Sequence, residues 1–252
     1  MQRSINSLAG FTIGATDGDI GKVEEFYFDD TTWIVRYMIV KTGGWLTGRE
    51  VLISPATIFK PDWENKIIPV NLTRDQVKNS PDIDTDKPIS RQEEEKLFAY
   101  YPWQSYYDGG LYGEGIGMMG TFPVIPFATE NTSEEEVKKE PEIKTHLRST
   151  HEVKGYIIHA TDGEIGKVSD FIFNEQTWEI TFIVVKTGNL FSEKKVLISP
   201  SWIKEVKWNM QEVIVNVSVD AVKNSPEYDA SKSIESDYTQ GLHDHYGFPP
   251  KA

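Results

Sequence analysis

A mainly β protein, built of two copies of one small closed or sandwiched sheet, is the fold class this sequence predicts. Three observations predict it. A 72-residue stretch recurs without a gap at an offset of 145 residues, with 33 of the 72 positions identical between 10–81 and 155–226. Each copy is rich in β-branched and aromatic residues, and turn signals interrupt it about every eight to twelve residues. The offset is far longer than the roughly 20–50 residues of a solenoid unit, so the repeat is a duplicated domain.

The elements of one copy follow in order. Gly10 to Ala15 is a short extended run. Asp17-Gly18 is a tight turn, because Gly accepts positive φ and Asp hydrogen-bonds its own backbone. Ile20 to Phe28 alternates imperfectly and reads as a strand with an irregularity at Gly21. Asp29 to Thr32 is a second turn. Trp33 to Val40 is a mostly buried strand, rich in aromatic and β-branched side chains. Lys41 to Gly48 is a Gly-rich loop, and Val51 to Ile53 a short strand stopped by Pro55. Ile58 to Asp62 and Lys66 to Leu72 are two more strands around a turn at Asn65. Thr73-Arg74-Asp75-Gln76 has the capping-box pattern and opens a short helix that ends before Pro81. Five or six short strands suit a small closed or sandwiched sheet, which also removes exposed edges.

These residues resemble the PRC-barrel domain. The resemblance rests on Leu8-Ala9-Gly10, then Asp17-Gly18-Asp19-Ile20-Gly21-Lys22-Val23, Phe28-Asp29, the Trp33 to Val40 strand, Val51 to Pro55 and Asn79-Ser80-Pro81. The core motif returns as Asp162-Gly163-Glu164-Ile165-Gly166-Lys167-Val168. The family includes the cytoplasmic domain of the photosynthetic reaction-centre H subunit and the C-terminal barrel of the ribosome maturation factor RimM. The resemblance implies a six-stranded antiparallel β-barrel for each copy and a non-enzymatic interaction or scaffolding role. It brings no catalytic residues.

Charge and composition narrow the function. The chain carries −13, yet 10–81 holds 10 acids and 8 bases, and 155–226 holds 9 and 7. The acid excess lies between the copies, where 82–154 has 15 acids and 8 bases. Near-neutral domains without a Lys/Arg cluster argue against direct nucleic-acid binding. With no Cys, disulfides, thiolate metal sites and cysteine nucleophiles are excluded. No apolar run approaches the ~18 residues of a membrane span, and the expected location is cytoplasmic.

The expected divisions are a first barrel over 1–83, a helical and aromatic arm with an acidic linker over 84–150, a second barrel over 151–228 and a C-terminal arm over 229–252. Ser90-Arg91-Gln92-Glu93 is a second capping-box pattern, opening a helix to about Tyr101. Phe98 to Trp103 has an equivalent in His243 to Phe248 at the same offset. Each arm thus ends in aromatics, and Tyr100, Tyr101, Trp103, Tyr246 and Phe248 are the candidate partner-binding residues, against the alternative that the arms pack on the barrels. Residues 104–130 are rich in Gly and aromatics, and 130–145 read as a solvated linker with a short helix capped by Ser133.

Other motifs carry less. Asp17-Gly18-Asp19 lacks the ligand spacing of a calcium loop and reads as a turn. His243-Asp244-His245 is a weak transition-metal pattern. Gly10 to Gly14 and Gly113-x-Gly115-x-Gly117 lack the strand and helix that a dinucleotide fingerprint needs. Asp29 and Asp30 become Asn174 and Glu175, so a role required of both copies is not expected of them. Trp33, Trp63, Trp178 and Trp208 recur in pairs and read as packing residues. No catalytic, cofactor or metal site is assigned. The leading function is a protein-interaction or scaffold protein with a protein partner or self-association, including pairing of the two barrels within the chain. The alternatives are a docking factor for a larger complex, H-subunit-like or RimM-like, and a small-molecule binder at the crevice between the barrels.

Overall fold

The computed structural model of the protein describes residues 1–46, 48–83, 89–101, 146–188 and 194–249. The first half contains β1 (Gln2–Ser4), β2 (Thr12–Ala15), β3 (Gly18–Asp29), β4 (Val35–Thr42), β5 (Glu50–Ile53), β6 (Ile67–Pro69), α1 (Arg74–Lys78) and α2 (Arg91–Tyr100). The second contains β7 (Leu147–Ser149), α3 (Thr150–Val153), β8 (Ile157–His159), β9 (Glu164–Asn174), β10 (Ile180–Thr187), β11 (Lys195–Ile198), β12 (Ile203–Lys207), β13 (Glu212–Val215), α4 (Val219–Asn224) and α5 (Ser236–Tyr246).

Each repeat forms one curved sheet. The first runs β5-β4-β3-β2-β6 and the second β11-β10-β9-β8-β13-β12. In the second, the sheet's end strands β11 and β12 follow one another in sequence across a single 3-10 turn, Pro200–Trp202. One pairing departs from the all-antiparallel expectation. β2 runs parallel to β6, and β8 parallel to β13. The short first strand of each barrel joins the last by this parallel contact, after the chain has passed round the other strands. In the first copy, Ile58 to Asp62 makes only isolated bridges, Ile58 with Val70 and Asp62 with Ile67, where the second copy has the full strand β12.

Chemistry visible in the sequence explains the shared motif. Asp17 does more than turn the chain: its Oδ1 accepts the Arg74 backbone N–H at 2.8 Å, at the start of α1. Asp162 accepts the Val219 N–H at 2.7 Å in the same way. Gly21 and Gly166 sit where β3 and β9 meet the next strand. A Cβ at Gly21 would lie 2.0 Å from the Lys41 carbonyl oxygen, and at Gly166 2.2 Å from that of Lys186. The irregularity expected at Gly21 is a bulge one residue away. Gly21 pairs with Ile13 and Asp19 with Gly14, which leaves Ile20 as the extra residue.

Helix boundaries follow the capping boxes. Thr73 caps α1 with Gln76 reaching back, and Ser90 caps α2 with Glu93 doing the same. The buried side chains of both barrels form one continuous core cluster. Among the described residues no helix is long and apolar enough to cross a membrane.

Candidate interaction site at the junction of the repeats

The two repeats exchange strands. β1 precedes the first barrel but pairs with β9 of the second, Gln2 opposite Asn174, Arg3 opposite Phe173 and Ser4 opposite Ile172. β7 precedes the second barrel but pairs with β3 of the first, Leu147 opposite Asp29, Arg148 opposite Phe28 and Ser149 opposite Tyr27. Every one of these pairs maps onto its counterpart by the 145-residue offset. A strand of three residues is marginal alone, and pairing across the junction supplies the partner for its backbone groups. Residues 147–149, read from sequence as the end of the linker, are therefore the first strand of the second repeat.

At the centre, Ile34 bridges Glu179. The Val35 N–H donates to the Trp178 carbonyl at 2.9 Å, and the Ile180 N–H to the Trp33 carbonyl at 2.7 Å. These two bonds are equivalent under the offset, which marks a pseudo-twofold relation between the halves. It requires an unusual backbone. Trp33 and Trp178 have φ of 59° and 58°, a left-handed conformation that bulky residues rarely adopt. The strand expected to begin at Trp33 therefore begins at Val35. Each indole stacks on a phenylalanine of its own barrel, Trp33 on Phe28 and Trp178 on Phe173, both at 5.1 Å between ring centres. Across the junction Phe28 meets Phe171 at 5.7 Å.

Polar groups repeat the symmetry. The Arg3 guanidinium lies 4.1 Å over the Trp63 ring and pairs with Glu175 of the other repeat. The Arg148 guanidinium lies 4.3 Å over the Trp208 ring, with Nε 2.9 Å from Asp30 Oδ2. Each arginine thus ties a tryptophan of its own repeat to a carboxylate of the other, a contact worth about 1 kcal/mol at a partly exposed site. The Ser4 hydroxyl donates to Asp170, and the Ser149 hydroxyl to Glu25.

Asp29 and Asp30 keep their roles in the second copy, against the expectation drawn from Asn174 and Glu175. Both positions do the same work in both copies. Asp29 Oδ1 accepts the Thr31 and Thr32 N–H groups, and Asn174 Oδ1 accepts that of Gln176. A side-chain carbonyl serves either turn, and either carboxylate holds its arginine. Asp to Asn and Asp to Glu are tolerated because the roles are capping and clamping. Sequence reasoning also missed Arg3 and Arg148. Their shared 145-residue spacing was the available signal, but they lie outside the aligned 72 residues.

The described parts of the arms pack on the barrels. At the end of α2, the capping residue Tyr101 is buried, and the exposed Tyr100 donates its hydroxyl to the Gln76 carbonyl at 2.9 Å. On α5, Tyr246 is buried against Trp202 at 4.7 Å between ring centres, and just beyond the helix the half-buried Phe248 stacks on the same indole at 5.7 Å. Burial pushes the hydroxyls of both Tyr101 and Tyr246 up to about 12. Tyr101 and Tyr246 thus serve the interior, which leaves Tyr100 and the edge of Phe248 facing outward. Trp103, the Gly-rich segment, Gly113 to Gly117 and the linker helix at Ser133 lie outside the described residues.

The His243-Asp244-His245 side chains do not converge. His243 Nδ1 donates to the Phe248 carbonyl at 2.9 Å, His245 Nε2 to the Ala221 carbonyl at 2.8 Å, and Asp244 accepts from Gln240.

One feature breaks the symmetry. A groove of about 1320 Å³ runs between the first barrel and the second, lined by Ile34, Ala56, Phe59, Trp63, Phe98 and Trp178 among others. In the second repeat Trp202 occupies the position of Thr57, and its buried indole packs against Phe182, His243, Tyr246 and Phe248.

A family model described as the PRC-barrel domain matches the chain twice, over residues 2–77 and 148–221. The matched segments begin within the exchanged strands β1 and β7. No curated protein matches the chain.

Proposed function

Because the chain belongs to the PRC-barrel family, carrying two copies of its domain, we propose that it is a non-catalytic interaction or assembly protein whose working unit is the joined pair of barrels. The observation that carries this reading is the use of the polar side chains that the two copies share. Arg3 and Arg148, Asp30 and Glu175, Ser4 and Ser149, and Glu25 and Asp170 all bind one half to the other. Groups spent on holding a rigid scaffold present surfaces in fixed relation, which is what an assembly platform needs. Tyr100, at the end of α2, and Phe248, just beyond α5, are the proposed partner contacts, held by helices that pack on the barrels.

The test is capture of a protein partner at low salt by the full chain and by two variants. One carries a Gly/Ser segment of equal length in place of 103–145, which keeps α2 and β7. The other is Tyr100→Ala. A partner recovered in fixed stoichiometry, and weakened by one of the variants, is the expected result. No partner with any of the three, together with a melting temperature raised by a small metabolite, would contradict it.

A further inference from the structure

The register of the sheets assembles a charge pattern that the sequence scatters. In the second repeat, Lys186 of β10 stands opposite Lys167 of β9 on one side and Lys195 of β11 on the other. Cross-strand partners project from the same face of a sheet, about 5 Å apart, so these three exposed lysines form one row. The first repeat builds the same row differently. Lys41 stands opposite Lys22 and Glu50, and Glu24, in the bulge beside it, reaches Lys41 Nζ at 3.5 Å. Across the 145-residue offset Glu24 becomes Ser169 and Glu50 becomes Lys195. The Ser169 hydroxyl donates to the Val184 carbonyl at 3.1 Å instead of meeting a lysine. At these positions the first repeat sets two lysines against two acids, and the second sets three lysines against none.

This row does not serve the fold. Like charges placed directly opposite one another cost stability. Lysines on edge strands guard against aggregation, but β9 and β10 are paired on both sides and need no guard. Lys167 and Lys195 form no ion pair among the described residues. Lys186, between them, has a further interaction of its own, so the two outer lysines are the ones that present their charge.

We propose that the row of Lys167, Lys186 and Lys195 binds an acidic peptide segment of a partner protein. Carboxylates at alternate positions of an extended peptide lie ~7 Å apart on one side, which suits a row roughly 10 Å long. At physiological salt a charge is felt only within a Debye length of about 8 Å, so a short segment meets the lysines alone. A wide anionic surface such as a membrane would also meet the rest of a chain that carries −13. This inference rests on the interaction reading above and names the partner's chemistry.

The probe is acetyl-Glu-Ser-Glu-Ser-Glu-amide, titrated into the full chain at low salt and followed by backbone amide shifts. Saturable shifts at Lys167, Lys186 and Lys195, half complete at a concentration on the order of 1 mM, are expected. Physiological salt is expected to weaken binding roughly tenfold, and the counterpart with Gln for Glu is expected not to bind. Lys195→Glu restores the residue that the first repeat carries at Glu50, so the fold accommodates it, and binding is expected to weaken about tenfold. The double variant Glu24→Ser, Glu50→Lys is expected to gain a second site around Lys41. Shifts elsewhere, a Lys195→Glu chain that binds normally, or a double variant that gains no site would each overturn the proposal. So would tighter binding of inorganic phosphate or of phosphatidylglycerol vesicles through the row. Peptide binding seen only after 103–145 is replaced by Gly/Ser would also overturn it, since the chain's own acids would then be the occupant. If Lys195→Glu still captures a partner that Tyr100→Ala loses, the lysine-row proposal falls and the assembly reading stands. If the peptide binds the row but no partner is ever captured, the reverse holds.

Discussion

Gly21 and Gly166 show how much one missing methyl can decide. Each lets the backbone of the neighbouring strand approach to a distance no side chain would allow. Gly21→Ala and Gly166→Ala are therefore expected to cost about 3 kcal/mol or more each, because backbone must shift to admit the Cβ. Urea denaturation with an unchanged slope and a lowered midpoint would show it. Asp17 and Asp162 act at the same scale but more gently. Each supplies one hydrogen bond to a helix start, so Asp17→Ala is expected to cost about 1 kcal/mol. The Asp-Gly-x-Ile-Gly motif was legible as a turn, since Asp and Gly have strong local preferences. Its two long-range duties were not, because they depend on Arg74 and Lys41, which the turn meets only after folding.

Buried tyrosines make a second prediction at this scale. Burial pushes Tyr101, Tyr156, Tyr238 and Tyr246 each up to about 12. The unfolded chain releases these protons near 10. The folded form keeps them longer, so their contribution to stability is complete below about pH 10 and is lost as pH rises through 12. Stability is expected to fall across that window, with tyrosinate absorbance appearing together with unfolding. Absorbance that rises fully near pH 10 in a chain still folded would contradict the burial of these rings.

At the scale of elements, the exchanged strands are what the sequence least revealed. The longer strands, the two capping boxes and the arm helix were readable because alternation, caps and prolines act locally. Strands of three residues carry no period of their own. β1 and β7 exist because each finds an edge in the opposite barrel, and that edge lies about 170 residues away along the chain for β1 and about 120 for β7. Trp33 and Trp178 resisted reading for a related reason. An aromatic residue before a hydrophobic run looks like strand, but at positive φ Trp33 and Trp178 each bond both their own turn and the opposite repeat. Arg3→Ala and Arg148→Ala are each expected to cost about 1 kcal/mol. Combined, they are expected to speed amide exchange in β1 and β7 before the rest of either barrel. Uniform exchange across all strands of the double variant would contradict the exchanged pairing as a distinct element.

The whole molecule is a dimer folded within one chain. The duplication was plain from sequence, and pairing of the barrels was one of several arrangements it allowed. The structure selects that arrangement, since registers, stacking distances and ion pairs recur across the offset. Symmetry also shows where the copies have diverged. In the second repeat Trp202 packs against Tyr246 and Phe248, while the first has Thr57 at that position and an exposed Phe59 two residues on.

The most direct measurement is to cut the chain once between the repeats. A single protease site inserted in 103–145 of the full chain would be cleaved under native conditions, and the product sized in solution. The expected result is one particle of the intact mass, 28.7 kDa, that separates into two fragments only when denaturant is added. Fragments that part on cleavage, each still folded, would contradict a single body held together by exchanged strands.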